Sequence, residues 1–176
     1  MAALEEDASL LRVLFDTSVL FSRGNRKAIT RLVDRDQQAF KPLWSEWIIA
    51  ELNYSLAWRW AEDTIARREG LTETQRNQMG RAAKTMLSMM LAHFEVVSLE
   101  GAVPFPAYAW VPDQWDRHLF AAAERGGAQV VVLNDGDVLR ASRRSSGWGA
   151  ITLMSAEDFF AAADPEASEP PEPDER

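Results

Sequence analysis

Leu11-Arg12-Val13-Leu14-Phe15-Asp16-Thr17-Ser18-Val19-Leu20 is the stretch that decides the fold, because a short apolar run ends abruptly in a carboxylate and two hydroxyls. Such a run reads as a buried strand that delivers Asp16 to its carboxyl end. In an open parallel sheet, ligands collect at that end, where the loops leaving the strands line a crevice. A second run, Ala128-Gln129-Val130-Val131-Val132-Leu133-Asn134-Asp135, ends the same way. Strands alternating with helices imply right-handed crossovers and a mostly parallel sheet covered on both faces.

Working outward, Asn25 is expected to cap a helix reaching about Gln37, with Ile29, Leu32 and Val33 turned inward. Ala39 to Trp44 reads as a second strand, weakened by Pro42. Ser45 should cap a long helix from Glu46 to about Glu69, closed by Gly70, with Ile48, Ile49, Leu52, Leu56 and Ile65 as its apolar stripe and Trp47, Trp58 and Trp60 around it. Thr72-Glu73-Thr74-Gln75 matches a capping box and opens a further helix. Its methionines Met79, Met86 and Met90 recur at core spacing and read as packing residues, and His93 as a structural one. Phe94 to Leu99 is the third expected strand, followed by a Gly/Pro-punctuated connection, Glu100 to Pro112, with Tyr108 and Trp110 expected at the surface. Asp113 should cap a helix from Gln114 to Arg125 that Gly126-Gly127 stops. A short basic helix after Asp137, a last strand near Ala150 to Met154, and a helix Ala156 to Ala163 capped by Ser155 complete the pattern.

The 176 residues are 47% hydrophobic, enough for one domain with a real core. Residues 1–9 form an acidic N-terminal extension, residues 10–163 the folded domain, and residues 164–176 an acidic Pro/Glu-rich tail expected to be disordered. No apolar run approaches the roughly 20 residues that span a bilayer, and Glu5, Glu6 and Asp7 stand where a signal peptide would be basic, so a cytoplasmic protein is expected. Cysteine is absent, which excludes disulfides and thiolate metal sites and leaves oxygen ligands or the two histidines, His93 and His118. The net charge of -8 lies in the two ends: between Ala8 and Ala163, 18 acids face 18 bases. Within that body, Arg23, Arg26, Lys27, Arg31, Arg35 and Lys41 cluster, and Arg140, Arg143 and Arg144 follow the second acidic strand end. Basic flanks beside an acidic cleft suit a polyanion held while metals bridge it; an ordinary solvated helix face is the competing reading.

The acidic residues are the candidate site. Asp16, Asp135 and Asp137 could each be turn or helix caps, and Asp116 could simply favour its helix dipole. Glu51 lies beside the apolar positions Ile48 and Leu52, where an unpaired carboxylate is costly. A divalent cation would compensate all of these groups at once, since hard oxygen ligands on separate elements are what Mg²⁺ or Mn²⁺ requires.

Four blocks now carry a resemblance: Val13-Leu14-Phe15-Asp16-Thr17-Ser18-Val19-Leu20, Trp44-Ser45-Glu46-Trp47-Ile48-Ile49-Ala50-Glu51-Leu52, Trp115-Asp116-Arg117-His118-Leu119-Phe120-Ala121-Ala122-Ala123, and Gly127-Ala128-Gln129-Val130-Val131-Val132-Leu133-Asn134-Asp135. In order and spacing, over roughly Arg12 to Met154, they resemble PIN-domain nucleases, and within these the VapC-like toxin branch of bacterial toxin–antitoxin systems. The resemblance implies a three-layer α/β/α domain with a mostly parallel sheet of about five strands. It also implies a Mg²⁺- or Mn²⁺-dependent endoribonuclease that hydrolyses RNA phosphodiester bonds as the toxin of a type II system. Asp16, Glu51, Asp116 and Asp135 would then be the catalytic, metal-holding quartet, with Asp137 a fifth ligand and Thr17, Ser18 and Asn134 in support. Arg23, Arg26, Lys27 and Arg140 would hold phosphates. A cognate antitoxin that inserts an arginine against the carboxylates is implied, and the apolar surface of Glu46 to Glu69 and Thr72 to Leu91 either offers a partner or homodimer face or is packed internally. Two departures stand out. Leu133 occupies a position where PIN domains usually carry threonine or serine, and the loop can be aligned so that Asp137 replaces Asp135. Glu46 and Asp113 are alternatives should the register differ by a turn. The other readings are a degenerate PIN-like module that binds RNA or protein without cutting, and a DNA-directed flap-type nuclease.

Overall fold

In a computed structural model, the described residues are 10–35, 40–66, 72–74, 77, 81, 88, 90, 92–101, 108–111, 113–142 and 151–164. Strand β1 (Leu11–Phe15) lies at the centre of a five-stranded, all-parallel sheet with β2 (Phe40–Ser45), β3 (Glu95–Val97), β4 (Val130–Val132) and β5 (Thr152–Met154), ordered β3-β2-β1-β4-β5. The helices are α1 (Thr17–Leu20), α2 (Arg23–Arg35), α3 (Glu46–Ala66), α4 (Arg117–Arg125), α5 (Gly136–Ser142) and α6 (Ala156–Ala163). This is the expected α/β architecture with helices on both sides of a parallel sheet.

The pairing register divides the core. Val13 lies beside Pro42, and Leu14 beside Leu43, so alternate residues of β1 and β2 face opposite layers. On one face, Phe15 meets Phe40, Phe94 and Phe159 at ring distances of 6.0, 6.0 and 5.2 Å, and Trp44 meets Phe94 at 5.1 Å. On the other face, α4 approaches so closely at Gly126 that a Cβ there would lie 2.8 Å from Val97 Cγ2 and 3.1 Å from Leu43 Cδ1. Pro42 is accommodated inside the sheet because β3 pairs with β2 only from Leu43 onward, leaving one side of the strand open at the proline.

Several local expectations are corrected. Asn25 lies inside α2; the hydroxyl of Ser22 accepts from its amide at 3.3 Å. The strand expected over Ala128 to Asp135 is confined to Val130–Val132. Tyr108 and Trp110 are half-buried and pack on Phe120, at 6.2 and 5.0 Å. Asp164, read as the first tail residue, is buried and faces Arg31 at 3.5 Å. Ser45 and Ser155 cap as expected, accepting from the amides of Ile48 (3.3 Å) and Asp158 (3.1 Å). Met90 is in the core, as its spacing predicts. Residues 1–9, the tail beyond Asp164, Gly70, Met79, Met86, and Arg143 and Arg144 lie outside the described residues. Among the described residues, no helix is long and apolar enough to cross a membrane.

Candidate active site

From β1 the chain steps outward through β2 to β3, whereas β4 and β5 lie on its opposite side. The order therefore reverses between β1 and β4, and the crevice beyond their carboxyl ends is where parallel sheets of this kind bind ligands. Asp16 and Asp135 leave the sheet at that point, and the Asp16 amide donates to the Val132 carbonyl at 3.0 Å.

Asp16 caps α1. Its Oδ2 accepts from the Ser18 amide at 3.1 Å and from the Ser18 hydroxyl at 2.5 Å. Burial pushes its pKa upward; the Ser18 bonds oppose this, and the negative charge of Glu51 adds to it. Ser18 Oγ also accepts from the Asn134 amide at 3.1 Å, and Asn134 Oδ1 from the Ala156 amide at 3.3 Å, which fixes the loop after β4 against the start of α6. Leu133 is a core residue, and Ser18 supplies the hydroxyl bound to this loop.

Glu51 is not the buried, unpaired carboxylate that its sequence neighbours imply. Its side chain is 52% exposed, accepts from Thr17 Oγ1 at 2.8 Å and lies 3.8 Å from His118 Nε2. The pKa of Glu51 is lowered, chiefly by His118, with Thr17 contributing and partial burial opposing. The two hydroxyls after Asp16 thus divide their work, Ser18 holding Asp16 and Thr17 reaching across to Glu51.

Asp116 ends a 3-10 turn, Gln114–Asp116, and precedes α4 without making a side-chain cap bond. Asp113 performs the capping instead, accepting from the Trp115 amide at 2.9 Å. Burial and the charges of Asp113, Asp16, Asp135 and Glu51 push the pKa of Asp116 up to about 6. The other three carboxylates chosen from sequence thus all lie close enough for their charges to act on Asp116.

Asp135 and Asp137 separate. Asp135 Oδ1 accepts from the amides of Asp137 (2.7 Å) and Val138 (3.0 Å), capping α5. Asp137 is 77% exposed, pairs with Arg140 Nη2 at 2.5 Å and is absent from the charges acting on Asp116. Glu46 is engaged elsewhere, accepting from the Leu99 amide at 2.6 Å. Of the basic candidates, Arg23 and Lys27 are exposed, Arg140 is joined to Asp137, and Arg26 Nη1 donates to the carbonyls of Leu20 (2.5 Å) and Phe21 (2.7 Å), closing the end of α1.

His118, named from sequence only as a histidine that a metal could use, has a different place here, opening the buried run Leu119–Ala123. Its ring packs on Trp47 at 5.6 Å, it faces Glu51, and its buried Nδ1 has no hydrogen-bond partner among the described residues. Among the described residues, no three His, Asp or Glu side chains are arranged to hold an ion unaided. The chain matches no protein-family model and no curated protein.

Proposed function

We propose that this chain is a Mg²⁺- or Mn²⁺-dependent endoribonuclease of the PIN-like kind it resembles. The observation that carries the reading is Asp116: it makes no side-chain cap bond, and burial first, then the charges of Asp113, Asp16, Asp135 and Glu51, disfavour its ionised form. Uncompensated like charge at a crevice is costly unless a cation joins it. The donor set fits, since these are hard oxygen ligands and a hydrated Mg²⁺ takes only one or two carboxylates directly. Asp16, Glu51, Asp116 and Asp135 would hold the ion, with Asp137 outside the set. When bound, the ion would activate water and neutralise charge growing on the phosphate.

The protein's own groups prepare this site. Ser18 fixes the rotamer of Asp16, and Thr17 and His118 keep Glu51 oriented and ionised. Arg23 and Lys27 are exposed cations available to flanking phosphates. The finer assignment, a cytoplasmic toxin of a type II system whose antitoxin inserts an arginine among the carboxylates, is supported by the four-block resemblance. The test is manganese-dependent RNA cleavage by the wild type and by Asp16→Asn, with DNA alongside. Loss in the variant is expected; equal activity refutes the assignment, and preferential DNA cleavage redirects it to a DNA nuclease. A binding module without catalysis is the second reading, motivated by the buried Leu133 at the departing position and by the exposed Trp47, Trp58 and Trp115. Calorimetric titration with Mn²⁺ separates the two, because a degenerate site gives no carboxylate-dependent heat.

A further inference from the structure

Helix α3 carries two stripes. Ile48, Leu52 and Leu56 are buried, as an inward face at helical spacing requires. Trp47, Glu51, Tyr54 and Trp58 follow at steps of four, three and four and fall on another narrow sector of the same helix. All three aromatics of this second stripe are exposed, Tyr54 to 68% and Trp58 to 57%, and their rings stack at 6.4 Å with an 18° tilt. A solvent-facing helix surface ordinarily carries charged residues; here the stripe is aromatic except at Glu51, the candidate ligand. Trp47 also lies against His118, which brings the start of α4 beside α3. One step before Asp116, Trp115 is 69% exposed on a turn whose backbone Asp113 holds in place.

We infer that Trp47, Tyr54 and Trp58, with Trp115, form a base-stacking track that leads single-stranded RNA onto the carboxylates. This rests on the ribonuclease reading and adds the residues that would hold the strand outside the carboxylates. Trp47 and Trp58 are separated by about 16 Å along the helix axis, at ~1.5 Å per residue, so the track is longer than one base. Aromatic faces hold unpaired bases of any sequence, whereas the bases of a duplex are stacked internally and closed to them. A protein partner on the same stripe is the competing occupant. RNA is favoured because the stripe runs through Glu51 and is continuous with the acidic crevice.

Fluorescence anisotropy with a labelled uridine oligonucleotide, in Ca²⁺, tests the track, with a duplex RNA as control. Trp58→Ala and Trp115→Ala should each weaken single-strand binding about 10-fold and leave duplex binding unchanged. Trp58→Phe should retain most of the affinity. In Mn²⁺ cleavage assays, Trp58→Ala should raise KM and leave kcat unchanged, since it lies two turns from Glu51. Unchanged single-strand affinity in both alanine variants overturns the inference, as does equal loss on duplex. It is also overturned if sedimentation shows Trp58→Ala dissolving a dimer while RNA affinity holds. Wild-type cleavage that persists in Asp16→Asn would instead overturn the ribonuclease reading and leave the stacking result to stand by itself.

Discussion

Replacing Asp116 by asparagine should make the ion-free protein more stable. The substitution keeps the side chain's shape and removes its charge, and no capping bond is lost because Asp116 makes none. Its pKa rises from 3.8 to about 6 on folding. At about 1.4 kcal/mol per tenfold change in proton affinity, that rise corresponds to about 3 kcal/mol. Asp116 is only partly buried, so solvent screening reduces the figure to about 1 kcal/mol. The sign follows from linkage. A raised carboxyl pKa means that the folded state binds the proton more tightly, so the wild type loses stability as pH rises from about 4 through about 6. The variant's advantage should therefore be absent in acid and fully developed above about pH 6. For a chain of this size, about 1 kcal/mol corresponds to roughly 2–4 °C in Tm. Thermal unfolding with a chelator present, scanned across pH, measures it. Adding Mn²⁺ should reverse the order, because a ligand at a hundredfold excess over its Kd stabilises by about 2.7 kcal/mol and only the wild type keeps the full ligand set. An Asp116→Asn protein that is less stable than wild type without metal at neutral pH would refute the argument that burial and the neighbouring carboxylates penalise the charge of Asp116.

The remaining predictions follow from individual contacts. His118→Gln should weaken Mn²⁺ affinity by about 10-fold through misorientation of Glu51, measured by calorimetry; unchanged affinity would remove His118 from the site. Asp135→Ala should abolish RNA cleavage and cost about 1 kcal/mol of stability by uncapping α5, whereas Asp137→Ala should leave cleavage near wild type. The opposite pattern would exchange their roles. Gly126→Ala should lower stability by about 1–3 kcal/mol, because its Cβ would meet Val97 Cγ2 at 2.8 Å and the Ala122 carbonyl oxygen at 3.0 Å; a neutral result in urea unfolding would show that α4 can yield there.

The parts of this fold that were legible in sequence are those written in periodicity and punctuation. Valine and leucine runs closed by Asp16 and Asp135 mark the two strands that flank the crevice, and Ser45, Asp113 and Ser155 announce helix starts through bonds to amides within three residues. Such signals are local, so a linear reading captures them. What escaped was set by partners distant in the chain. Nothing near Glu51 foretells that Thr17, 34 positions earlier, reaches its carboxylate, or that His118 faces it from another helix. Arg26 reads as a free cation until α1, only four residues long and too short for any period, presents its carbonyls to it. Asp135 and Asp137 are equivalent on paper and differ only once the loop after β4 turns one into a cap and the other toward Arg140.

The most direct test is anomalous scattering from a crystal of the wild-type protein soaked in Mn²⁺. The account predicts a peak in the crevice beyond β1 and β4, bonded to one or two of the carboxylates of Asp16, Glu51, Asp116 and Asp135, with water completing the shell. A crevice without manganese at saturating concentration, or an ion bound only at Asp137 or elsewhere on the surface, would contradict it.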